Sequence, residues 1–171
     1  AIELVENLKD PQYKLVISHE AGDEGHEYSE WLEETARKRG VDLRLVKTRV
    51  FDPLNPETNH QGKPTLWDIY PHADFITYPS LYEGFGNAFL EAIYFKKPLL
   101  INRYATFVRD IEPKGFDLIV MDGFLTSKNV QSVREILNSP EKREKMINHN
   151  HDVARRHYSY AVLRRSLMTI L

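Results

Sequence analysis

Between residues 75 and 101 the sequence passes from a short apolar run, through two closely spaced glycines, into a segment with helical periodicity. The run at 75–78 favours a β-strand, and Pro79 ends it because proline has no N–H to donate to a sheet ladder. Gly84 and Gly86 allow positive φ angles and a close approach of the backbone to a ligand. This stretch therefore predicts a strand, a tight glycine loop and a helix, in that order.

The predicted helix begins directly after the second glycine. Asn87 is a good N-cap, and residues 88–95 carry apolar side chains at the spacing of one helix face. The first N–H groups of a helix have no internal acceptors, and the helix dipole is positive at that end. Such an end suits a phosphate group or a sugar oxygen.

Two carboxylates flank the predicted loop. Glu83 directly precedes the glycines, and Glu91 lies one turn into the predicted helix. The helix dipole alone accounts for an acid near the helix start, so a purely structural role stays open for Glu91. It does not account for Glu83, which lies where a strand ends, the edge at which open α/β sheets bind ligands.

Residues 79–92 read Pro-Ser-Leu-Tyr-Glu-Gly-Phe-Gly-Asn-Ala-Phe-Leu-Glu-Ala. This run resembles the signature of the family 4 retaining glycosyltransferases, the glycosyl transferases group 1, which have the GT-B fold. The signature continues into a Lys-Pro pair and a short apolar strand, as residues 97–101 do here. Upstream positions with the family's spacing are Leu66, Tyr70, Ala73 and Asp74.

The resemblance implies a Rossmann-like parallel sheet flanked by helices, which is the C-terminal, donor-binding half of a GT-B enzyme. The implied reaction transfers a sugar from a nucleotide-sugar donor to an acceptor hydroxyl and retains the anomeric configuration. No metal or other cofactor is expected, because GT-B enzymes generally work without one. The acceptor site and much of the catalytic machinery belong to an N-terminal domain. We therefore expect the 171-residue chain alone to bind a nucleotide weakly and to transfer no sugar.

The resemblance also assigns roles to residues. Glu83 is the catalytic candidate and is expected to bind the donor sugar hydroxyls, whereas Glu91 is expected to bind the ribose hydroxyls. Carboxylates suit both tasks because they accept charge-assisted hydrogen bonds. The other donor-binding candidates are Gly84, Phe85, Gly86, Asn87, Ala88, Arg49 and Val50. Arg49 and Val50 follow a strand after which the family commonly contacts the nucleobase, and an ordinary surface role stays open for Arg49.

The chain departs from the family pattern after the strand predicted at 98–101. Family members often carry a Gly-Gly pair there, whereas residues 102–106 read Asn-Arg-Tyr-Ala-Thr. The wall of the pocket must therefore differ at this point.

Strand and helix patterns alternate along the chain, which predicts a parallel, doubly wound sheet. Strands are predicted at residues 13–18, 41–48, 75–78, 98–101 and 117–121. Helices are predicted at residues 1–8, 28–39, 66–72, 88–95, 106–112, 127–137, 140–157 and 161–171. Residues 51–64 contain three prolines and predict an irregular loop.

Residues 1–171 are expected to form one nucleotide-sugar-binding domain that lacks its first strand. The chain opens inside an amphipathic helix, at residues 1–8, without an initiator methionine or a cap. Residues 140–171 are expected to form C-terminal helices. These helices either pack on their own domain or cross toward the N-terminal domain, and the sequence does not separate the two arrangements.

Composition excludes several classes of function. Cysteine is absent, so disulfides and thiolate chemistry are excluded. The net charge of −2 provides no positive field for nucleic acid. No apolar run approaches the ~20 residues of a membrane span. A cytoplasmic location is the default expectation, with peripheral membrane association of the full-length protein left open.

The sequence offers three alternatives to this assignment. The cluster His19, Glu20, Asp23 and His26 lacks the spacing of a zincin metal site, so a solvated loop is predicted. A glycoside hydrolase needs two carboxyl groups bracketing a sugar bond, at ~5–5.5 Å or ~6.5–9.5 Å. One acid on a loop and one on a helix do not favour that arrangement. A non-catalytic nucleotide-binding or interaction domain would use the same strand, loop and helix, and it stays open.

Overall fold

The computed structural model describes residues 1–18, 25–46 and 64–170, which divide into two compact units. The first unit is Ala1–Ala73 and the second is Asp74–Leu171. Each unit holds a parallel β-sheet and several helices, which confirms the predicted α/β class. Predictions that lie outside the described residues concern positions 19–24, the His26 side chain, positions 47–48, Arg49, Val50 and positions 51–63.

The sheet of the first unit has two strands. β1 (Lys14–Ile17) pairs in parallel with β2 (Asp42–Leu45). α1 (Ile2–Leu8) and α2 (Gly25–Lys38) form where helices are predicted, and α2 begins three residues before its expected start. Gly40, at φ 68°, follows α2 as predicted. Apolar residues of α1, β1 and α2, together with the residue that precedes β2, form a buried cluster: Ile2, Leu15, Ala36 and Val41.

The helix predicted at 66–72 forms in two parts. Thr65 caps it as expected, since its N–H and its hydroxyl both donate to the Asp68 carboxylate, at 2.7 and 2.8 Å. α3 (Leu66–Ile69) then tightens into a 3₁₀ turn over Tyr70–His72. Pro71 accounts for the tightening because it has no N–H for an α-helical bond.

The sheet of the second unit has three parallel strands, in the order β3 (Ile76–Tyr78), β4 (Leu99–Asn102) and β5 (Ile119–Met121). β4 is central, and its four residues are all buried. A strand buried on both faces reads as a continuous apolar run, which is why its prediction from sequence is close to the structure.

The connections within the second unit are mostly helical. α4 (Asn87–Tyr94) joins β3 to β4. A π-helical turn over Phe107–Ile111 and a 3₁₀ turn over Glu112–Lys114 join β4 to β5, where one short helix was predicted. Pro113 prevents that helix from continuing in α-helical form.

Three helices end the chain: α5 (Ser127–Asn138), α6 (Pro140–Tyr158) and α7 (Tyr160–Ile170). Ser139 ends α5 and is the N-cap of α6, where its side chain accepts from the Lys142 N–H at 3.3 Å. Ser159 separates α6 from α7 at the predicted kink. Whether residues 140–171 cross to another domain stays a prediction.

The single doubly wound sheet of the prediction appears as two sheets, one in each unit. A continuous sheet would need one strand paired to members of both. The described residues contain no such strand, and the expected missing first strand stays a prediction. In the same described part of the chain, no helix combines the length and the apolar character needed to cross a membrane.

Asn150 connects α6 by hydrogen bonds to the segment that leads into β5. Its side chain is 1% exposed, donates to the Asp117 carbonyl and accepts from the Asp117 N–H, both at 2.7 Å. Asn150→Ala should lower the free energy of unfolding by about 2 kcal/mol, because both backbone groups lose their partner. The matched control is Asn148→Ala, which removes a bond from the exposed Lys96 and should cost less than about 0.5 kcal/mol. Equal costs in urea unfolding would contradict this assignment.

Candidate functional site

The glycine loop, residues 79–86, connects β3 to α4 at the carboxyl end of the second sheet. Gly86 has a φ of 88° and is the N-cap of α4. The prediction of Asn87 as N-cap is therefore wrong, and Asn87 is the first residue of the helix. Gly84 was expected to permit a positive φ, but it does not adopt one. Of the two glycines, only Gly86 adopts a positive φ.

Gly86 is buried, and two tyrosines lie against its α-carbon. A β-carbon added at this position would lie 2.7 Å from the Tyr104 hydroxyl and 3.0 Å from the Tyr78 hydroxyl. The two rings meet edge to face, with their centroids 6.2 Å apart. The close approach predicted for Gly86 is thus made to tyrosine side chains within the protein.

Glu83 is half-buried on the loop, beside the same tyrosines. Burial, followed by the hydrogen bond that the Tyr78 hydroxyl donates to the Glu83 carboxylate, raises the pKa of Tyr78. The Thr106 hydroxyl donates to the Glu83 backbone carbonyl at 3.3 Å. Both the side chain and the backbone of Glu83 are therefore held by neighbouring residues.

Phe85 anchors the glycine loop through its side chain. Its ring packs edge-on against Tyr158, with centroids 5.2 Å apart, and its carbonyl accepts from the Tyr104 hydroxyl at 2.9 Å. Gly84 and Asn87 are exposed, while Ala88 is half-buried. A ligand contact from Phe85 would therefore come from its backbone.

The first turn of α4 follows the loop directly. The N–H groups of Asn87 and Ala88 lie before the first internal bond of an α-helix, whereas the Phe89 N–H donates to Gly86 at 3.0 Å. Glu91 is half-buried further along α4. The structure thus places Glu83 and Glu91 on one strand–loop–helix segment, while Arg49 and Val50 lie outside the described residues.

Four side chains at this site were missed by the sequence-based reasoning: Tyr78, Asn102, Tyr104 and Thr106. Three of them belong to the stretch 102–106, where the chain departs from the family's Gly-Gly pair. That departure was the available signal, because larger side chains in place of glycines must occupy space near the loop. In the described part of the chain, no group of three His, Asp or Glu side chains is arranged to hold a metal ion.

The buried Tyr104 should make the folded protein less stable at alkaline pH. Burial, followed by the charges of Glu83 and Tyr158, raises the pKa of Tyr104 to about 12. The folded state thus favours the protonated phenol. The resulting stabilisation is complete below about pH 10, the ordinary tyrosine pKa, and is lost as the pH rises through about 12. Between the ordinary and the raised pKa, the free energy of unfolding in urea should fall less for Tyr104→Phe than for the wild type. An equal fall in both proteins would contradict the raised pKa of Tyr104.

Comparison with known proteins identifies the family. The model of the glycosyl transferases group 1 family matches residues 54–152, which is more than half of the chain. A mannosylglucosylglycerate synthase from Thermotoga maritima is 32% identical over 149 residues, which cover 80% of this chain and 33% of that protein. A second, from Petrotoga mobilis, is 42% identical over 98 residues, 56% of this chain and 22% of that protein. The chain thus spans about a third or less of the length of these relatives.

The comparison with solved structures agrees with the family match. The crystal structure of TarM, which has the GT-B fold, superimposes with a TM-score of 0.67 at 16% identity. The superposition covers 97% of this chain and 30% of TarM. This likeness shows a GT-B type of fold, as predicted. The family match over more than half of the chain establishes that the chain belongs to the glycosyl transferases group 1 family.

Proposed function

We propose that this chain is the donor-binding part of a retaining glycosyltransferase, which transfers a sugar from a nucleotide-sugar to an acceptor hydroxyl. The observation that carries the proposal is the glycine loop itself. It delivers a held carboxylate, Glu83, and the start of α4 to the same edge of the sheet. Ligands of open α/β sheets bind at this edge.

The start of α4 is proposed to bind the donor diphosphate. Sugar transfer leaves a nucleoside diphosphate, so negative charge develops on its oxygens as the glycosidic bond breaks. The N–H groups of Asn87 and Ala88 and the positive end of the helix dipole favour that charge. Fixed donors of this kind lower the barrier because they need no reorientation during the reaction.

Glu83 is proposed to bind the hydroxyls of the donor sugar. An ionised carboxylate has about four acceptor positions, of which the Tyr78 hydroxyl uses one. The bond from Tyr78 fixes the orientation of the carboxylate and leaves acceptor positions for the sugar. In the same proposal Glu91 binds the ribose hydroxyls, and Arg49 and Val50 lie near the nucleobase.

The names of the two relatives indicate which sugar donor should be tested first. Both are mannosylglucosylglycerate synthases, so a mannosyl nucleotide is the first choice of sugar donor. The acceptor is proposed to bind a second, N-terminal domain. No metal ion is part of the proposed mechanism, and a cytoplasmic location is proposed for the reaction.

Donor binding is tested by calorimetric titration of the full-length protein with GDP- and UDP-sugars, with and without EDTA. Glu91→Gln should weaken binding about 10-fold or more, because a charge-assisted bond is worth about 1.5–3 kcal/mol. The control is Glu144→Gln, which makes the same change at an exposed position of α6 and should leave affinity unchanged.

Three outcomes would count against parts of the proposal. Equal affinity of Glu91→Gln and the wild type would remove Glu91 from the site. Loss of binding in EDTA would contradict the metal-free mechanism. Binding without any turnover by the full-length protein would favour the non-catalytic, nucleotide-binding alternative.

A further inference from the structure

The last residue of β4 and the segment that follows it are hydrogen-bonded to the glycine loop at three points. Its side chains at alternate positions each donate to a different backbone carbonyl of the loop. The bonds run from Asn102 Nδ2 to Ser80 O (3.1 Å), from Thr106 Oγ1 to Glu83 O (3.3 Å) and from Tyr104 Oη to Phe85 O (2.9 Å). We call Asn102, Tyr104 and Thr106 the β4 clamp.

The β4 clamp is largely shielded from water. Asn102 and Tyr104 are each 2% exposed, so their bonds to the loop meet little competition from solvent. Asn102 also accepts from the Gly123 N–H at 2.8 Å, in the turn after β5. One buried amide at the end of the central strand therefore connects the loops that follow both neighbouring strands.

The clamp fixes the direction of the loop's N–H groups. In a trans peptide the carbonyl and the next N–H point in opposite directions across one rigid plane. Holding the Glu83 carbonyl at Thr106 therefore directs the Gly84 N–H away from the clamp. Holding the Phe85 carbonyl at Tyr104 directs the Gly86 N–H away in the same manner. Backbone N–H groups that point out of a loop can together bind a phosphate.

We propose that the β4 clamp positions the glycine loop for the diphosphate of the donor, by fixing its peptide planes and the backbone of Glu83. The three residues are positioning residues, because they act through the loop. This inference rests on the proposed function of the loop. It assigns to Asn102, Tyr104 and Thr106 the task of holding the donor site, in the stretch where family members often carry a Gly-Gly pair.

The test compares variants that remove a hydroxyl and keep the shape of the side chain. Tyr104→Phe and Thr106→Val each remove one clamp bond. Tyr158→Phe is the matched control, because its hydroxyl donates to the Asp110 carbonyl at 3.3 Å, outside the loop, and its ring stays in place. The full-length proteins are titrated with UDP and GDP, melted, and analysed by amide hydrogen exchange.

The two clamp variants should bind the preferred diphosphate about 10-fold more weakly than Tyr158→Phe at a similar loss of melting temperature, because the unclamped loop occupies its binding conformation for a smaller fraction of the time. Amides of residues 84–88 should exchange faster in the clamp variants, while those of α5 should not. A merely structural role predicts instead that affinity follows melting temperature equally in all three proteins, and that result would overturn the positioning role. If the wild type binds neither diphosphate, the proposed function fails as well, so the two failures are distinguishable.

Discussion

Gly86→Ala should lower the free energy of unfolding by about 2–5 kcal/mol. A left-handed backbone costs a non-glycine residue about 1–2 kcal/mol, and Gly86 has a φ of 88°. The added β-carbon would also lie 2.7 Å from the Tyr104 hydroxyl and 3.0 Å from that of Tyr78. Crowding of a well-packed interior adds about 1–3 kcal/mol.

Gly84→Ala is the control for this prediction. It makes the same change two residues earlier, where φ is ordinary and no atom lies within 4 Å of the added β-carbon. Its effect on urea unfolding should stay within about 0.5 kcal/mol of the wild type. Adding Tyr104→Phe to Gly86→Ala removes the closest contact and should recover part of the lost stability. Similar costs for the two single variants would contradict the packing described at Gly86.

Glu83→Gln should lower the rate of sugar transfer by the full-length enzyme about 100-fold or more. The substitution keeps the shape of the side chain and an oxygen that can accept from Tyr78. It removes the negative charge, and each charge-assisted bond to a donor hydroxyl is worth about 1.5–3 kcal/mol. Loss of two such bonds corresponds to a factor of about 100 or more.

The kinetic pattern distinguishes the two acids. Glu83→Gln should reduce kcat, because the bound sugar carries the reacting carbon, whereas Glu91→Gln should mainly raise KM for the donor. Glu144→Gln serves again as the neutral control. The product of the wild-type enzyme should retain the anomeric configuration of the donor, which proton NMR of the early product reports. Unchanged kcat in Glu83→Gln would remove this residue from the catalytic site.

Local rules predicted the parts of the fold that depend on neighbouring residues. Thr65 and Ser139 begin helices as expected, and Gly40 ends one, because caps and left-handed positions are determined within a few residues. The start of α4 was missed by one residue. Asn87 is the better N-cap by residue type, but the left-handed turn at Gly86, packed against Tyr78 and Tyr104, determines where the helix begins.

The part of the candidate site that depends on neighbouring residues could likewise be predicted from the sequence. The motif around Glu83 is continuous in sequence and could be recognised directly. The bonds that hold the loop join residues 19 to 23 positions apart, across a helix and a strand, and no local pattern encodes them. The two-sheet arrangement was also missed, because periodicity indicates strands without indicating their partners.

The single residue between α5 and α6 has a consequence for the evolution of this unit. Because Ser139 ends one helix and caps the next, the two helices are not separated by a loop that could accommodate an inserted residue. One added residue would rotate α6 by about 100° about its axis relative to α5. That rotation would move Asn150 away from the Asp117 backbone. Length variation among homologues by a single residue should therefore avoid this junction.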